Sequence, residues 1–359
     1  MPKREGTVQF MLSFADALRA NGEQVRVFAP RGVCDDARDV VPYELVTLAD
    51  VAVPRSEKVG GIVSDVESCG PSRVVFTDEG RGCLAVLDGL AGRVPTTLVC
   101  HDPTPHPTRL AGSLRERVSR AFYERQRRRS FGKASDYLLL SENSAATFRR
   151  VNPSLANQAR VMPLCPHPPV GVCGKRPDAL PASGLEGGFY LFFGCIDKYK
   201  GLASLLRAYS RTERELPLVV AGSGELSAEE DALVRANDQV SLVHGYVDDA
   251  ALVWLFEHCR AVVLPYIEAS QSGVLAMAYN FDKPVIVSDL PGLTEFVTDG
   301  ETGFVFQTED QLSDLLGELG DGARCRSMAG AVCAYRLEHL NWATNVRRWL
   351  AREDGAARG

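Results

Sequence analysis

A short polar loop lies between two apolar segments in the second half of the chain. Residues 261–266 (AVVLPY) predict a buried strand and the residues VLAMA a buried helix, with Glu268 and the segment 269–273 (ASQSG) between them. Backbone N–H groups of such a loop can hold an anion, and a carboxylate can accept hydrogen bonds from hydroxyl groups. The pattern favours a ligand loop, and a polar turn in which Ser270 or Ser272 caps the helix is the alternative.

Three more segments have residue types that could do chemistry. FFGCIDKYKG places Gly194 at the end of a strand and Lys200 at the start of a helix, which is typical of a phosphate site; a solvated loop is the alternative. HDPTPHP follows another apolar strand, and its His101 can exchange a proton with a hydroxyl group near neutral pH, with Asp102 beside it. AGSGEL predicts a strand, a turn and a helix, but its GxG lacks the third glycine of a dinucleotide site.

These segments belong to two series of alternating strands and helices. Strands are predicted at residues 24–29, 73–77, 96–100 and 136–141, and then at 189–194, 217–222, 240–245, 261–266 and 283–288. Alternation of this kind indicates βαβ units and mostly parallel sheets, hence an α/β fold. Because ligands bind at the carboxyl ends of such strands, the polar segments stand where a binding site is expected.

A linker rich in proline and glycine separates the two series. Residues 163–188 contain six prolines and five glycines, and the chain of 359 residues is long enough for two cores. We therefore predict two Rossmann-like, doubly wound domains that face each other across a cleft. The first domain opens with a helix, so Gly6 and Thr7 read as the tail of a glycine turn whose preceding strand is missing.

The order of the motifs resembles the retaining glycosyltransferases of family 4. FFG-x5-KG, VVAGSGEL, HGYV, PY-x-E, KPVIVSDLPGLTEFV and DGETGFVF follow one another from about Phe189 to Phe306, and the first half matches more loosely through HDPTPHP and LLLSENS. The resemblance implies a GT-B architecture with the nucleotide sugar in the second domain and the acceptor in the first. The implied boundaries are 1–165 for the acceptor domain, 166–188 for the linker, 189–338 for the donor domain and 339–359 for a helix that returns to the first domain.

The resemblance also implies how the donor diphosphate is held. In the family the lysine of the KG motif binds the diphosphate, which gives this role to Lys200, beside Gly194. The family usually has an arginine where this chain has Cys195, so Lys198 is a candidate substitute cation. The GxG motif and the HGYV motif form the expected nucleotide edge, and the residues assigned to it are Gly222, Gly245, Tyr246 and Val247.

The family's pair of glutamates is incomplete in this chain. Glu268 matches the first, which binds the sugar, whereas the second position holds Met277. A subset of the family has E-A-[ST]-Q-S-G-V in this loop, and the chain is similar to that subset. The resemblance then implies that backbone N–H groups of the loop hold the diphosphate, and the loop residues assigned to the donor are Ser270, Gln271, Ser272, Gly273 and Val274.

Catalytic and acceptor-side residues follow from the same resemblance. The catalytic candidates are His101, Asp102 and Glu268, and the remaining acceptor-side candidates are Gly6, Thr7, His106, Ser141 and Glu142, with a structural role as the alternative for His106. The ten cysteines and six histidines are scattered, with no zinc spacing and no DxD between strands, so we expect no metal and no cofactor beyond the nucleotide sugar.

Net charge and hydropathy limit the kinds of partner that this chain could have. The net charge of −6 argues against a nucleic-acid binder. The cysteine pattern is typical of free thiols in the cytoplasm. We also expect no signal peptide and no membrane span. Residues 109–133, however, hold eight arginines and one lysine against two glutamates. A basic helix of this kind could lie peripherally on the anionic inner face of the plasma membrane, and a solvated helix face is the alternative.

The resemblance thus implies a retaining, metal-independent glycosyltransferase. It would move a hexose or deoxyhexose from a nucleotide diphosphate sugar to a saccharide or polyprenyl-linked acceptor, in the synthesis of a cell-surface polysaccharide or glycoconjugate. Cys195, Met277 and the missing strand keep a catalytically silent sugar-nucleotide binder or scaffold partner as the alternative. A dehydrogenase is disfavoured, since neither half has GxGxxG with an acidic residue about 20 positions later.

Overall fold

The chain folds into two α/β units. The computed structural model describes residues 6–30, 44–48, 56–104, 114–167, 169, 171–212, 216–319 and 322–356. One unit comprises Met1–Pro163 with Trp342–Gly359, and the other comprises Leu164–Asn341. His106 lies outside the described residues, so its assignment stays a prediction.

The described secondary structure alternates along the chain between helices and strands. The helices are α1 (Gly6–Ala20), α2 (Ser56–Ser68), α3 (Arg81–Leu90), α4 (Leu114–Phe131), α5 (Glu142–Val151), α6 (Leu202–Arg211), α7 (Ala228–Arg235), α8 (Asp249–His258), α9 (Gly273–Asn280), α10 (Pro291–Thr294), α11 (Glu309–Glu318), α12 (Gly322–His339) and α13 (Trp342–Ala356). The strands are β1 (Arg26–Pro30), β2 (Glu44–Leu48), β3 (Val74–Phe76), β4 (Thr96–Cys100), β5 (Asp136–Leu139), β6 (Ala159–Val161), β7 (Tyr190–Phe193), β8 (Leu218–Gly222), β9 (Val240–His244), β10 (Ala261–Leu264), β11 (Val285–Ser288) and β12 (Gly303–Phe306).

The first unit contains two parallel sheets. β1 pairs with β2, and β3, β4, β5 and β6 form a separate sheet in sequence order. β4 and β5 are buried along their whole length, as expected for strands covered on both faces. The last helix, α13, packs on α1 in this unit, where Trp342 and Trp349 lie against the rings of Phe10 and Phe14.

The second unit contains one six-stranded parallel sheet. Its strand order is β12-β11-β10-β7-β8-β9, so β7 and β10 are neighbours although they are not consecutive in sequence. The order reverses between these two strands, which makes their carboxyl ends the topological switch point where doubly wound sheets bind ligands. Two buried clusters cover the faces of the sheet, one with the aromatic rings of Phe189 and Tyr279 and the other with Tyr190 and Tyr209.

Helix caps agree with local sequence. Ser227 and Glu230 form a reciprocal capping box at α7, and Thr308 forms one at α11. Asp248 caps α8 through the backbone N–H of Ala251, as its position before an apolar run suggests. These caps stop each helix from extending into the loop that precedes it, and the loops at the carboxyl ends of the strands carry the candidate site.

The predicted elements differ from the structure in several places. The strands β2, β6 and β12 were not among the predicted ones. Gly6 and Thr7 are not the tail of a glycine turn, because α1 begins at Gly6 and both residues form its first turn. Residues of the predicted linker, including Leu180 and Leu185, are buried in the core of the second unit.

Candidate functional site in the second unit

Lys200 lies in the turn between β7 and α6, at the switch point of the sheet. A short 3-10 turn, Lys198–Lys200, follows β7, and Gly201 caps α6 with a left-handed backbone (φ +69°). This turn brings the Lys200 side chain under the loop after β10, where it is only 8% exposed. A buried ammonium needs acceptors, because transfer of an unpaired charge from water is costly.

Tyr266 supplies an acceptor for Lys200. The Lys200 Nζ lies 2.6 Å from the Tyr266 hydroxyl oxygen and 4.3 Å from the centre of the ring, which places it beside the hydroxyl rather than over the face. Burial alone would lower the pKa of Lys200, but the phenol oxygens of Tyr266 and Tyr199 outweigh it and raise that pKa. Lys200 is therefore an ammonium at neutral pH, ready to meet an anion.

Glycines let the backbone segments of the site approach each other. A Cβ on Gly201 would lie 1.8 Å from the carbonyl oxygen of Pro265, and one on Gly222 would overlap the carbonyl oxygen of Gly194. A Cβ on Gly194 would lie 3.5 Å from the Lys200 Nζ. The ends of β7, β8 and β10 therefore meet closely at the lysine.

The loop after β10 ends in the N-terminus of α9. Ser272 is buried and caps this helix by accepting a hydrogen bond from the backbone N–H of Leu275, so the capping role is realised. Gly273 and Val274 form the first turn of α9, where N–H groups lack partners within the helix. The Val274 side chain faces Gly194, since a Cβ there would lie 3.6 Å from its Cγ2. The helix N-terminus and Lys200 are therefore adjacent.

The other candidates in this loop are less buried than Lys200. Glu268, Ser270 and Gln271 are half-buried after β10. A Cβ on Gly292, which lies in α10, would be 2.3 Å from the carbonyl oxygen of Ala269, so only glycine allows α10 to support this loop. The loop thus lies against two helices.

Three further positions clarify the departures from the family pattern. Met277 is 8% exposed and packs in the hydrophobic core, so this position in α9 contributes no polar group. Cys195 is exposed after β7, and Lys198 is exposed in the 3-10 turn. Neither side chain has the burial of Lys200, which remains the buried cation of the described site.

The predicted nucleotide edge lies at the end of β9. The Gly245 N–H donates to the carbonyl oxygen of Gly222 at 2.9 Å, and the His244 Nε2 lies 2.6 Å from the carbonyl oxygen of Gly224. His244 therefore has a structural hydrogen bond. Tyr246 is 59% exposed and Val247 half-buried, so the aromatic ring is available for stacking. The AGSG turn does not start a helix, because α7 begins only at Ala228.

His101 and Asp102 lie in the first unit, after β4. The His101 Nε2 is 3.0 Å from the carbonyl oxygen of Thr77, and since a carbonyl only accepts, this nitrogen carries the hydrogen. In the neutral ring Nδ1 is then the basic nitrogen. The Phe10 and His101 rings pack in a T-shaped arrangement with 5.4 Å between their centroids. Asp102 is half-buried, and its carbonyl oxygen accepts a hydrogen bond from Arg127 at 2.7 Å.

The remaining acceptor-side candidates have local roles in helices. Ser141 is fully buried and caps α5, accepting from the N–H of Ser144 and donating to its hydroxyl. Glu142 lies in the first turn of α5 with its side chain largely exposed. Gly6 and Thr7 form the first turn of α1 in the same unit. Ser141 is therefore better explained as a helix cap than as a ligand contact.

The sequence did not indicate three of the groups that shape these sites. Tyr266 was assigned only to a strand end, Gly292 had no role, and Arg127 was counted among surface arginines. A close contact between a loop and a distant glycine leaves no local signal, whereas an aromatic residue two positions before Glu268 could have been considered as a partner for a buried lysine.

Neither a metal cluster nor a membrane-spanning helix is found among the residues that the structure describes. In that part of the chain no three His, Cys, Asp or Glu side chains are grouped so that they could hold a metal ion. None of the helices described is both long enough and apolar enough to cross a membrane.

Comparisons with known proteins agree with this geometry. HepE of Anabaena, solved in complex with UDP and glucose, has a TM-score of 0.69 to this chain at 15% identity, and the match covers 99% of this chain and 97% of HepE. The chain therefore has the GT-B fold, an α/β architecture with parallel sheets in two domains.

Sequence matches are confined to part of the chain. Residues 189–320 match the family model "Glycosyl transferases group 1". O-antigen chain mannosyltransferase C of Escherichia coli is 31% identical over 159 residues, 42% of each chain. D-rhamnosyltransferase WbpZ of Pseudomonas aeruginosa is 36% identical over 122 residues, 33% of this chain and 31% of WbpZ. The chain thus covers less than half the length of these curated relatives.

Proposed function

We propose that the chain is a retaining, metal-independent glycosyltransferase that moves a hexose or deoxyhexose from a nucleotide diphosphate sugar to a saccharide or lipid-linked acceptor. The observation that carries the proposal is the buried ammonium of Lys200 at the switch point, next to the N-terminus of α9. A lysine and a helix N-terminus aimed at one place suit a diphosphate. The group 1 match over residues 189–320 supports it.

Lys200 and α9 would act on the leaving group. When the bond between the anomeric carbon and the diphosphate breaks, negative charge develops on the phosphate oxygen that departs. An ammonium already held in place stabilises that charge without reorganisation, and such stabilisation supplies most of the rate enhancement in many enzymes. In this proposal Lys200 and the N–H groups at residues 271–274 provide the positive charge that a divalent cation provides elsewhere.

The remaining donor contacts are assigned from where the residues lie, at the carboxyl ends of the strands of the second unit. Glu268 would accept hydrogen bonds from sugar hydroxyls, and Gly222, Gly245, Tyr246 and Val247 would line the nucleotide. The relatives named as a mannosyltransferase and a D-rhamnosyltransferase support a mannosyl or rhamnosyl donor, and the UDP in HepE supports a nucleoside diphosphate leaving group.

His101 and Asp102 would serve the acceptor. His101 is held at the end of β4 by its Nε2 bond to Thr77, and a histidine in such a loop can exchange hydrogen bonds with a hydroxyl group. For retention, the hydroxyl would attack from the face that the diphosphate leaves, and the departing phosphate would take the hydroxyl proton. His101 would then orient the hydroxyl, and the names of the O-antigen relatives support a polysaccharide acceptor.

The test combines donor binding with turnover. A thermal-shift panel of nucleoside diphosphate sugars identifies the donor, since a ligand at 100 times its Kd stabilises by about 2.7 kcal/mol. With that donor, Lys200→Ala and Glu268→Gln should each lower turnover by about 100-fold or more, as expected for loss of a charged contact. Lys283→Ala, which removes a half-buried lysine bonded to the carbonyl oxygen of Glu257, is the matched control.

Two outcomes would contradict the proposal. Near-normal turnover of Lys200→Ala would show that the donor site lies elsewhere. Nucleotide binding by the unaltered chain without hydrolysis or transfer of any donor sugar would instead favour a silent sugar-nucleotide binder.

We further propose that the outer face of α4 contacts an anionic membrane surface on the cytoplasmic side. The exposed residues of its described side chains are Ala121, Phe122, Arg125, Arg128 and Arg129, and Phe122 is 62% exposed. Three exposed arginines and an exposed aromatic ring on one helix match anionic headgroups over an apolar layer. A lipid-linked acceptor would be found there, and the eight free cysteines described suit a reducing compartment.

Vesicle binding tests this surface. Each arginine near an anionic surface contributes about 1 kcal/mol, so replacing all three by glutamine should weaken binding to phosphatidylglycerol vesicles by about 100-fold. Phosphatidylcholine vesicles are the control. Equal sedimentation of both proteins with both lipids would contradict the assignment.

A further inference from the structure

The inner face of α4 contains an arginine that behaves unlike its neighbours. Arg127 is 6% exposed, whereas Arg125, Arg128 and Arg129 on the same helix are exposed. Its guanidinium points into the first unit, and its central carbon lies 4.3 Å from the centre of the Phe131 ring. A buried guanidinium is always charged, so its partners must be found within the fold.

Arg127 binds two loops at once. Its Nε donates to the Glu79 carboxylate at 2.7 Å, in the loop after β3. Its Nη2 donates to the carbonyl oxygen of Asp102 at 2.7 Å, in the loop after β4. The two loops are also joined directly, because His101 donates from Nε2 to Thr77. One side chain of α4 therefore ties the loop after β3 to the turn that carries the proposed acceptor-binding histidine.

Neighbouring residues of α4 strengthen this attachment. The Tyr123 hydroxyl donates to the carbonyl oxygen of Glu79 at 3.1 Å, and the Gln126 side chain donates to the carbonyl oxygen of Arg81 at 3.2 Å. These bonds hold the loop after β3 along one turn of α4. Arg127, in contrast, also reaches the loop that carries the His101 ring.

Burying the Arg127–Glu79 ion pair costs free energy of desolvation, and a purely structural role would not require this pair. Burial raises the pKa of Glu79, and the charge of Arg127 opposes that effect. Replacing a buried ion pair by apolar residues is often neutral or stabilising, so burial of such a pair is weak support for a stability role. What the guanidinium offers instead is geometry, since its planar fork holds two acceptors in fixed directions.

We propose that Arg127, oriented by Glu79, is a positioning residue that fixes the His101–Asp102 turn for the acceptor hydroxyl. The inference rests on the role proposed for His101. Misplacement of a reacting group by about 1 Å can cost about 100-fold in rate, so a loose turn would slow transfer strongly. A lysine at position 127 could bond to either the Glu79 carboxylate or the Asp102 carbonyl oxygen. It lacks the planar fork with which arginine holds both acceptors at once.

The decisive variant is Arg127→Lys in the full chain, compared with Arg73→Lys. Arg73 pairs with Asp136 and Thr97 at the opposite, amino-terminal edge of the same sheet, so it is a half-buried arginine with two side-chain acceptors far from the turn. We expect Arg127→Lys to lower kcat for transfer about 10- to 100-fold with unchanged donor affinity, and Arg73→Lys to leave both unchanged.

A readout independent of activity separates this proposal from the proposed function. Nitrogen-15 NMR of the histidine side chains should show His101 with hydrogen on Nε2 in the unaltered chain and in Arg73→Lys. In Arg127→Lys the ring should exchange between tautomers, since the turn that carries His101 loses the bond from Arg127 to the Asp102 carbonyl oxygen and no longer holds the ring against Thr77. If the chain has no transferase activity, the NMR comparison still tests the positioning role.

Two results would refute the positioning role of Arg127. An unchanged His101 spectrum in folded Arg127→Lys would refute the positioning role, as would a fall in activity that is explained by lost donor affinity. If Arg127→Lys does not fold, Glu79→Gln removes the orienting carboxylate while leaving the arginine, and the same change in the His101 spectrum is expected. An unchanged spectrum there would equally refute the proposal.

Discussion

Replacement of Tyr266 by phenylalanine tests the electrostatic core of the proposed donor site. The variant removes only the hydroxyl that accepts from the Lys200 Nζ at 2.6 Å and keeps the ring 4.3 Å from the ammonium. The Ser272 hydroxyl is 3.5 Å from the same oxygen, a distance at which little is lost. Because Lys200 is 8% exposed, water can replace the missing acceptor only in part.

The expected cost follows from these contacts. A hydrogen bond to a charged group contributes about 1.5–3 kcal/mol, so we expect the free energy of unfolding of the second unit to fall by about 2 kcal/mol. For a unit of about 180 residues, 1 kcal/mol shifts the Tm by about 2–4 °C, which gives a decrease of about 4–8 °C. Tyr209→Phe, which removes a neutral bond to the carbonyl oxygen of Leu216, is the control and should cost about 1 kcal/mol.

Calorimetry without and with saturating nucleoside diphosphate is the assay. An ammonium has three donors, so Lys200 can bind a diphosphate while keeping Tyr266, and the deficit should persist with ligand. A Tm equal to that of the unaltered chain would refute the claim that Lys200 depends on this hydroxyl. A deficit that disappears with ligand would show that Lys200 leaves Tyr266 to bind the phosphate.

Two further predictions concern backbone contact and charge. Gly201→Ala should abolish nucleotide binding measured by calorimetric titration, because its Cβ would lie 1.8 Å from the Pro265 carbonyl oxygen at φ +69°, whereas Gly317→Ala, with open space, should bind normally. The hydrogen bond from Arg207 lowers the pKa of Glu309 below 4.5, against the effect of burial. The ionised Glu309 therefore stabilises the fold above that pH, and this stabilisation is lost as the pH falls through the lowered pKa. Urea unfolding of Glu309→Gln should show a loss of about 0.5–1 kcal/mol at pH 7 that vanishes in acid; a constant difference would contradict this.

The fold could be predicted because its signals are local. Strands buried on both faces read as continuous apolar runs, and polar turns mark their carboxyl ends, so most strands of both series were identified. Strands β2, β6 and β12 were missed; β6, for example, has Arg160 at its centre and therefore no continuous apolar run. The length of the turn after AGSG was also not predicted, because the capping box at Ser227 places the start of α7 at Ala228.

The site was predictable only in outline. Gly194, Lys200 and the loop at 269–273 follow strands that the pattern identified, and strand order brings their ends together. The partner of Lys200 was not predictable, because Tyr266 is 66 residues away and the contact depends on how the two turns pack. Only the structure shows that Gly201 and Gly292 are required by close approach to other backbone segments.

The arginines of α4 show how far a charge count can mislead. In the sequence Arg127 is one of three consecutive arginines, yet it lies four residues from Tyr123 and from Phe131, on the buried face of the helix. Its charge is matched by Glu79, so it adds nothing to the field of the outer face. Arg127→Lys should therefore bind phosphatidylglycerol vesicles like the unaltered chain even when its transfer rate falls, whereas glutamine on the outer face should weaken vesicle binding and leave the His101 tautomer unchanged. The two faces of one helix thus make separable contributions.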